Sequence, residues 1–506
     1  MSQRFVFKTT PVPTVAPSTT NVTRDILRRR MMKPQRHRLL QSFPLAAAMP
    51  PAQPLDQQER FLAFPMSPAG ERELLVGILP HPFCNPTVRG CGFCTFPHEQ
   101  FSGFKAALVA SLIVKELEQR LDAQPELRGR KVAALYFGGG TANLTPSDSF
   151  RLLCRAANMS FDLSEAEVTL EGVPSNFIRR QPLLLDILDE EMAPRHRRIS
   201  MGIQSFDENR LKQMGRLGYG TGSVFAEVVR EAHRRGMTAS GDLLFNLPAQ
   251  SLDEMRSDLR QACDIGLDHI GLYHLVAFRG LKTAWSQDPK LLAQLPNQDQ
   301  AVENWLALRE QLLDDGFVQT SLTNFERSEV IGKANRFQYE VNSFRPDRYE
   351  MLGLGPAAIS SAANKTFDNA WKTINPEASH DYMAAVNSQT LIPNRVFRYG
   401  QDDLKAFYLT RRLSGLAIDT QQYQSLFDLT PMEDYPEEFA AFIDEELIEL
   451  TGDLLRPTPR GMFFSDSISA LLAAPRLSEH RRHGNTKQRV LSEMAQFEND
   501  NAHGHM

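Results

Sequence analysis

Between residues 74 and 278, short apolar runs alternate with longer amphipathic stretches. Leu74–Leu79, Val132–Phe137, Val168–Leu170, Ile199–Ile203, Ala239–Phe245 and His269–Ala277 have the length and branched composition of buried strands. Between them the apolar positions recur at helical spacing. This predicts helices over Lys105–Leu121, Ser147–Ala157, Pro182–Glu191, Gly222–Arg235 and Leu252–Ile265. Pro146-Ser147-Asp148, and Ser251 with Glu254, read as helix starts. Such βα alternation predicts an α/β fold with a parallel sheet covered by helices, and six units predict a partial (β/α)6 barrel open at one side. In that architecture, function belongs in the loops after the strand C-termini. Cys84, Gly138, Glu171, Gln204 and Asp242 all lie near predicted strand ends or just after them.

A helix over 295–316 and a strand-like Phe317–Thr323 follow. Next come two segments that mix charge with aromatics. Phe325, Arg327, Arg336, Phe337 and Tyr339 suit stacking on a ring and pairing with its acids, or else form a surface loop. From Val396 the pattern turns helical, closing on Leu455-Arg-Pro-Thr-Pro-Arg-Gly461. The expected division is a basic, flexible arm over 1–55, the barrel with its extension over 56–375, a C-terminal domain over 376–475 and a polar tail over 476–506. His480, His483, His503 and His505 have no compact metal spacing.

Composition narrows the function classes. A chain of 506 residues, 42% of them hydrophobic, buries an ample core without disulfides. A net charge of -5 gives no electrostatic reason to expect nucleic acid. No apolar run approaches the roughly 18 residues needed to cross a bilayer. Five cysteines, three of them clustered, point to a reducing, cytoplasmic setting. Residues 1–55 are nearly free of acids and carry Arg28-Arg29-Arg30 and Arg36-His37-Arg38. They read as a transit peptide, a disordered tail, or an arm that meets an anionic substrate.

The candidate chemistry sits in two stretches. Cys84, Cys91 and Cys94 are spaced C-x6-C-x2-C directly after the first strand. Such a cluster holds zinc, with His81 or His98 as fourth ligand, or an iron–sulfur cluster with one iron left open. Gly138-Gly139-Gly140-Thr141 follows the second strand, where exposed N–H groups can hold a carboxylate or phosphate. It lacks the Lys-Ser/Thr of a P-loop and the spacing of a dinucleotide fingerprint. Cys154 and Cys263 fall on predicted helices and read as small core residues.

Together these stretches resemble the radical S-adenosylmethionine (SAM) superfamily. Val168 to Glu171, Arg198 to Phe206 with Leu211 to Arg216, Gly241 to Gln250, Tyr349 to Ala358 and Leu455 to Ser467 resemble its oxygen-independent coproporphyrinogen III dehydrogenase-like (HemN-like) group, over roughly residues 72 to 475. The resemblance implies a [4Fe–4S] cluster on Cys84, Cys91 and Cys94, and one or two SAM molecules. It places Phe93 near the adenine, and Gly138, Gly139, Gly140 and Thr141 at the amino end of SAM. It gives Glu171 the ammonium, Gln204 the ribose or methionine end, Arg216 the carboxylate and Asp242 the ribose. It further implies a small helical, winged-helix-like C-terminal lid and an electron donor such as flavodoxin or ferredoxin. The implied reaction is reductive SAM cleavage acting on a conjugated, tetrapyrrole-like small molecule. Radical C-methylation with two SAM molecules, and non-catalytic heme carriage, are the alternatives. The chain departs from the group in three places. Six residues separate the first two cysteines where three are usual, Ile78 replaces a tyrosine, and Phe96 replaces a further cysteine. The last two argue against propionate decarboxylation.

Overall fold

The six apolar runs form six strands: β1 (Glu73–Ile78), β2 (Arg130–Phe137), β3 (Glu167–Gly172), β4 (His196–Gln204), β5 (Thr238–Phe245) and β6 (His269–His274). The computed structural model describes residues 17–35, 43–52, 64–84, 91–96, 99–179, 182–333, 335–388 and 393–483. β1 to β6 pair in parallel in chain order, so every crossover returns to the next position along the sheet. Helix α1 (Pro17–Met31) precedes the sheet. The crossovers are α2 (Gly103–Ala123), α3 (Ser147–Ser160), α4 (Leu184–Glu191), α5 (Glu208–Gln213) with α6 (Gly222–Arg234), and α7 (Leu252–Asp264). The expected start of α7 is a capping box, with Ser251 and Glu254 each accepting the other's N–H.

Alternation along the strands separates two environments. Val168, Leu170, Ile199, Met201, Ile203, Ala239, Ile270 and Leu272 are buried together with the apolar helix faces, such as Phe225, Val228, Val229 and Ala232 of α6. The intervening positions are polar: Thr169 and Glu171 on β3, Arg198 and Ser200 on β4, Ser240 and Asp242 on β5, His269 on β6. They line the inner face of the sheet.

The sheet extends at both edges. β7 (Phe317–Gln319) and β8 (Asn324–Arg327) follow α8 (Gln298–Asp314), and β8 pairs antiparallel with β6. β9 (Tyr349–Leu354) joins β1 in parallel and leads to the antiparallel strands β10 (Ile359–Ala363), β11 (Ala370–Ile374) and β12 (Arg395–Tyr399). Residues 337–343, between the two extensions, plug the inner face. The Phe337 N–H donates to Glu326 Oε2 and the Gln338 N–H to Glu167 Oε2, both at 2.8 Å. The Tyr339 ring stacks on Tyr136 with centroids 4.9 Å apart. These residues therefore fill the sheet rather than a surface loop.

The C-terminal region consists of α9 (Gln401–Ser414), α10 (Thr420–Phe427), α11 (Pro436–Asp444) and a three-stranded antiparallel sheet of β13 (Ile418–Asp419), β14 (Ile448–Thr451) and β15 (Leu454–Pro457). It ends in α12 (Ser465–His483), which runs straight through the expected boundary after residue 475. Arg476 and His480 of that helix both meet Asp403 Oδ1, at 2.9 and 2.7 Å. The described part of the arm is also ordered differently from the expectation. α1 packs on α11 and α12, with Arg24 and Arg28 bonded to Glu445 and Thr23 donating to Glu437 at 2.8 Å. Those two arginines thus meet protein carboxylates, not a substrate. Arg36-His37-Arg38, His98 and the tail from Gly484, with His503 and His505, lie outside the described residues. Among the described residues, no helix is long and apolar enough to cross a membrane.

Candidate cluster and cofactor site

Cys84 ends a two-residue strand, Phe83–Cys84, that pairs in parallel with Glu99–Gln100. Its base is packed by His81, whose ring stacks on Phe83 at 5.3 Å and whose Nδ1 accepts the Phe83 N–H at 3.2 Å. That packing counts against His81 as a fourth zinc ligand. Cys91 and Cys94 share a turn in which the Cys94 N–H donates to the Cys91 carbonyl at 3.0 Å. Two side chains clamp the turn. Arg216, beyond α5, donates Nη1 to Cys91 Sγ at 2.9 Å and Nη2 to the Gly202 carbonyl on β4. Trp285, in the loop after β6, donates its backbone N–H to the Gly92 carbonyl at 2.9 Å, and its ring meets Phe93 edge-on at 5.9 Å.

The glycine turn packs against the same loop. Gly138 N–H donates to the Ile78 carbonyl at 3.0 Å, carrying the end of β2 beside the end of β1. Gly139 has φ +90°, which only glycine adopts cheaply, and a Cβ on Gly140 would stand 2.9 Å from the Phe83 carbonyl oxygen. Thr141 follows, and its hydroxyl bonds Cys84. Burial and the neighbouring Cys94 push the Cys84 thiol up to about 11, against that Thr141 bond. The two sequence motifs are therefore in contact.

The carboxyls come from the next strand ends. Glu171, at the end of β3, accepts from the Tyr136 hydroxyl and the Gly139 N–H. Burial nevertheless pushes it up to about 7. Asp242 on β5 lies in register with Gly202 on β4 and Gly271 on β6. Burial and then the charge of Glu171 raise it to about 7, with Arg198 opposing. Gln204 ends β4 at φ +73°, where the β4–β5 register shifts, a bulge that re-aims its side chain. A Cβ on Gly202 would stand 2.9 Å from Arg216 Nη2 and 3.0 Å from Gln204 Nε2, so glycine there leaves room for both.

These residues fit the implied cofactors. An arginine donating to one sulfur and a hydroxyl to another suit thiolate ligands. In a [4Fe–4S] cluster each cysteine binds a different iron, so three ligand sulfurs need not meet at one point. Among the described residues, no three His, Cys, Asp or Glu side chains converge on a point as ligands of a single ion do.

Cys84, Cys91, Cys94, Phe93, Gly138 to Thr141, Glu171, Gln204 and Arg216 lie at the C-terminal ends of β1 to β4 or in the loops that follow them, while Asp242 stands within β5, three residues before its end. Sequence reasoning missed three partners: Trp285, Tyr136 and Arg198. Arg198 carried a signal, since a charge inside an apolar strand needs a buried role. The aromatic and basic residues expected to face a ring are corrected. Phe325 is fully buried against Trp305 at 6.1 Å, and Arg327 donates to the Leu267 and Cys263 carbonyls at 2.7 and 2.9 Å. Phe337 lies under Arg198, Tyr339 stacks on Tyr136, and Arg336 stands 4.0 Å from Glu326.

Residues 78–262 match the radical SAM superfamily and residues 413–464 match the HemN C-terminal domain. The chain is 22% identical to the heme chaperone HemW of Lactococcus lactis, over 76% of this chain and 94% of that one. It is 23% identical to the oxygen-independent coproporphyrinogen III oxidase of Synechocystis sp., over 77% and 83% respectively. It is 32% identical to anaerobilin synthase of Escherichia coli O157:H7 over shorter shares, 38% and 41%. Among solved structures, coproporphyrinogen III oxidase (HemN) from Escherichia coli superposes with a TM-score of 0.67 at 18% identity, covering 85% of this chain and 96% of that one.

Proposed function

We propose, from the radical SAM match over residues 78–262 and the HemN C-terminal match over 413–464, that the chain uses a [4Fe–4S] cluster to cleave SAM reductively and modify a conjugated, tetrapyrrole-like small molecule. The observation that carries the reading is the Arg216 fork, which joins the cysteine turn to the end of β4. Cys84, Cys91 and Cys94 would hold the cluster, which when bound would supply the electron for reductive cleavage of SAM. The chain's own residues do the rest. The Gly138–Gly140 turn and Glu171 take the ammonium. Arg216 takes the carboxylate through a charge-assisted bond. Asp242 and Gln204 orient the ribose side, and Phe93, braced by Trp285, flanks the adenine. A flavodoxin or ferredoxin is the fitting electron donor, and the C-terminal helices the fitting cover.

A second reading, non-catalytic heme carriage, is favoured by the HemW relative, whose length the chain nearly spans. Ile78 and Phe96 also stand where the decarboxylating enzymes carry a tyrosine and a cysteine. A third reading is methyl transfer with two SAM molecules. One experiment separates the three: anaerobic incubation of cluster-loaded protein with SAM, dithionite and a panel of porphyrins and heme. 5′-Deoxyadenosine with altered porphyrin supports the proposal. S-adenosylhomocysteine supports methyl transfer. Neither product, with stoichiometric heme binding, overturns the enzyme reading.

A further inference from the structure

Trp285 stands in the loop after β6 and is 5% exposed. It is one of three tryptophans in the chain. The other two donate their indole N–H to backbone carbonyls, Trp305 to Pro459 and Trp371 to Pro65, both at 2.9 Å. Buried indoles usually find such a partner. The Trp285 indole faces the cysteine turn instead. A Cβ on Gly92 would stand 2.3 Å from both its Cδ1 and its Nε1, and 3.1 Å from its Cγ. The ring therefore lies over the backbone between Cys91 and Cys94 and takes the space a side chain would need there. The same residue donates its backbone N–H to the Gly92 carbonyl and meets the Phe93 ring edge-on. Its own loop is pinned. The Thr283 hydroxyl donates to Ser286 Oγ at 2.8 Å, the Ser286 N–H donates to Thr283 Oγ1 at 3.3 Å, and both residues are buried. A fixed apolar ring thus covers the stretch that separates two of the three candidate ligands.

We propose that Trp285 is a positioning residue that holds the Cys91–Cys94 turn and screens the cluster from water, keeping its reduction potential low. The proposal rests on the cluster reading above. Reduction adds a negative charge to the cluster. Water favours the more highly charged state, so a screened cluster is the harder to reduce. The test is an anaerobic redox titration of the reconstituted protein, read by electron paramagnetic resonance. It compares wild type with Trp285→Phe, Trp285→Ala, Gly92→Ala and the double variant Gly92→Ala with Trp285→Ala. Trp285→Ala raises the midpoint potential by about 59 mV, a tenfold gain in the one-electron reduction equilibrium. Trp285→Phe keeps a ring in place and stays near wild type. Gly92→Ala drives a methyl into the indole and shifts the potential the same way. In the double variant it adds nothing to the effect of Trp285→Ala, because the ring it would displace is gone. An unchanged potential in Trp285→Ala, or additive shifts in the double variant, overturns the proposal. Absence of a cluster in wild type would instead defeat the cluster reading. In that case, or if Trp285→Ala takes up no iron, iodoacetamide labelling of the cluster-free protein decides, read by mass spectrometry. About tenfold faster labelling of Cys91 and Cys94 in Trp285→Ala, with the buried Cys154 unchanged, supports the proposal. Equal rates, or faster labelling of Cys154 as well, assign a general structural role and overturn it.

Discussion

Arg216 Nη1 lies 2.9 Å from Cys91 Sγ while the same guanidinium donates to the Gly202 carbonyl, and its Cζ stands 4.9 Å from the Tyr219 ring centroid. One planar fork thus fixes the cysteine turn relative to β4, a geometry that lysine does not reproduce. Arg216→Leu removes a charge-assisted bond worth about 1.5–3 kcal/mol, so SAM affinity falls roughly tenfold to a hundredfold. Arg216→Lys gives an intermediate loss. Calorimetric titration with SAM reads both, and unchanged affinity in the Leu variant would leave Arg216 as a loop clamp only.

Cluster content follows the three clustered cysteines. Anaerobic reconstitution gives a broad visible absorption with iron and sulfide in near-equal amounts. It is lost in Cys84→Ala, Cys91→Ala and Cys94→Ala and kept in Cys154→Ala, whose thiol is buried in the core. Stoichiometric zinc without iron would reverse the assignment. Retention in Cys84→Ala alone would move the first ligand elsewhere.

The raised carboxyls predict opposite pH slopes for binding and for folding. Glu171 and Asp242 both sit near 7 in the folded chain, well above their ordinary values. SAM's ammonium requires carboxylate, so affinity rises from pH 6 to pH 8, about tenfold per unit below the titration midpoint for one coupled group. Without SAM, the folded state binds more protons than the unfolded one between about pH 4 and pH 7. The stability contribution of these two groups is therefore fully present below about pH 4 and is lost as pH rises through about 7. Glu171→Gln and Asp242→Asn flatten both slopes. Urea unfolding and SAM titration across that range measure them, and parallel slopes would contradict the assignment.

Two glycines, Gly129 before β2 and Gly140 in the turn after it, separate strain from contact. Gly129, at φ +69° with open space around its Cβ position, reports strain alone. Gly129→Ala lowers stability by about 1 kcal/mol or somewhat more and leaves SAM binding intact. Gly140→Ala drives a methyl against the Phe83 carbonyl and disturbs the cysteine loop. It lowers cluster retention and SAM affinity together. Equal behaviour of the two variants would show that the turn and the loop are independent.

Much of this architecture was legible because hydrophobic periodicity is local. All six strands and five crossover helices lie within a few residues of where the pattern places them, and most of the candidate site residues stand near strand ends. What escaped depends on distant partners. Phe337 and Tyr339 look like a loop because the carboxylate that fixes Phe337, and the ring beneath Tyr339, belong to other strands. α1 looks like a basic tail, since its sequence has a weak apolar stripe. Burial of Leu27 and Met31 within the common core makes it a helix, a case of tertiary context overriding local preference. The polar inner face was equally hidden, because alternation identifies a face but not the charges that collect on it from β3, β4, β5 and β8.

The plug at residues 337–343 has a consequence for biosynthesis. Glu167 and the Gln338 N–H that it accepts are 171 residues apart. At 5–20 residues per second, a ribosome releases the second roughly 10–30 s after the first. During that interval β1 to β6 can pair along the growing chain, while the acids of their inner face wait, solvated, for the segment that desolvates them. Completion of the interior is thus a late, chain-length-dependent event. A nascent chain stalled soon after Arg327 exposes Glu167 and Glu326 to water, leaving a proteolytically open species that one more short stretch of translation closes.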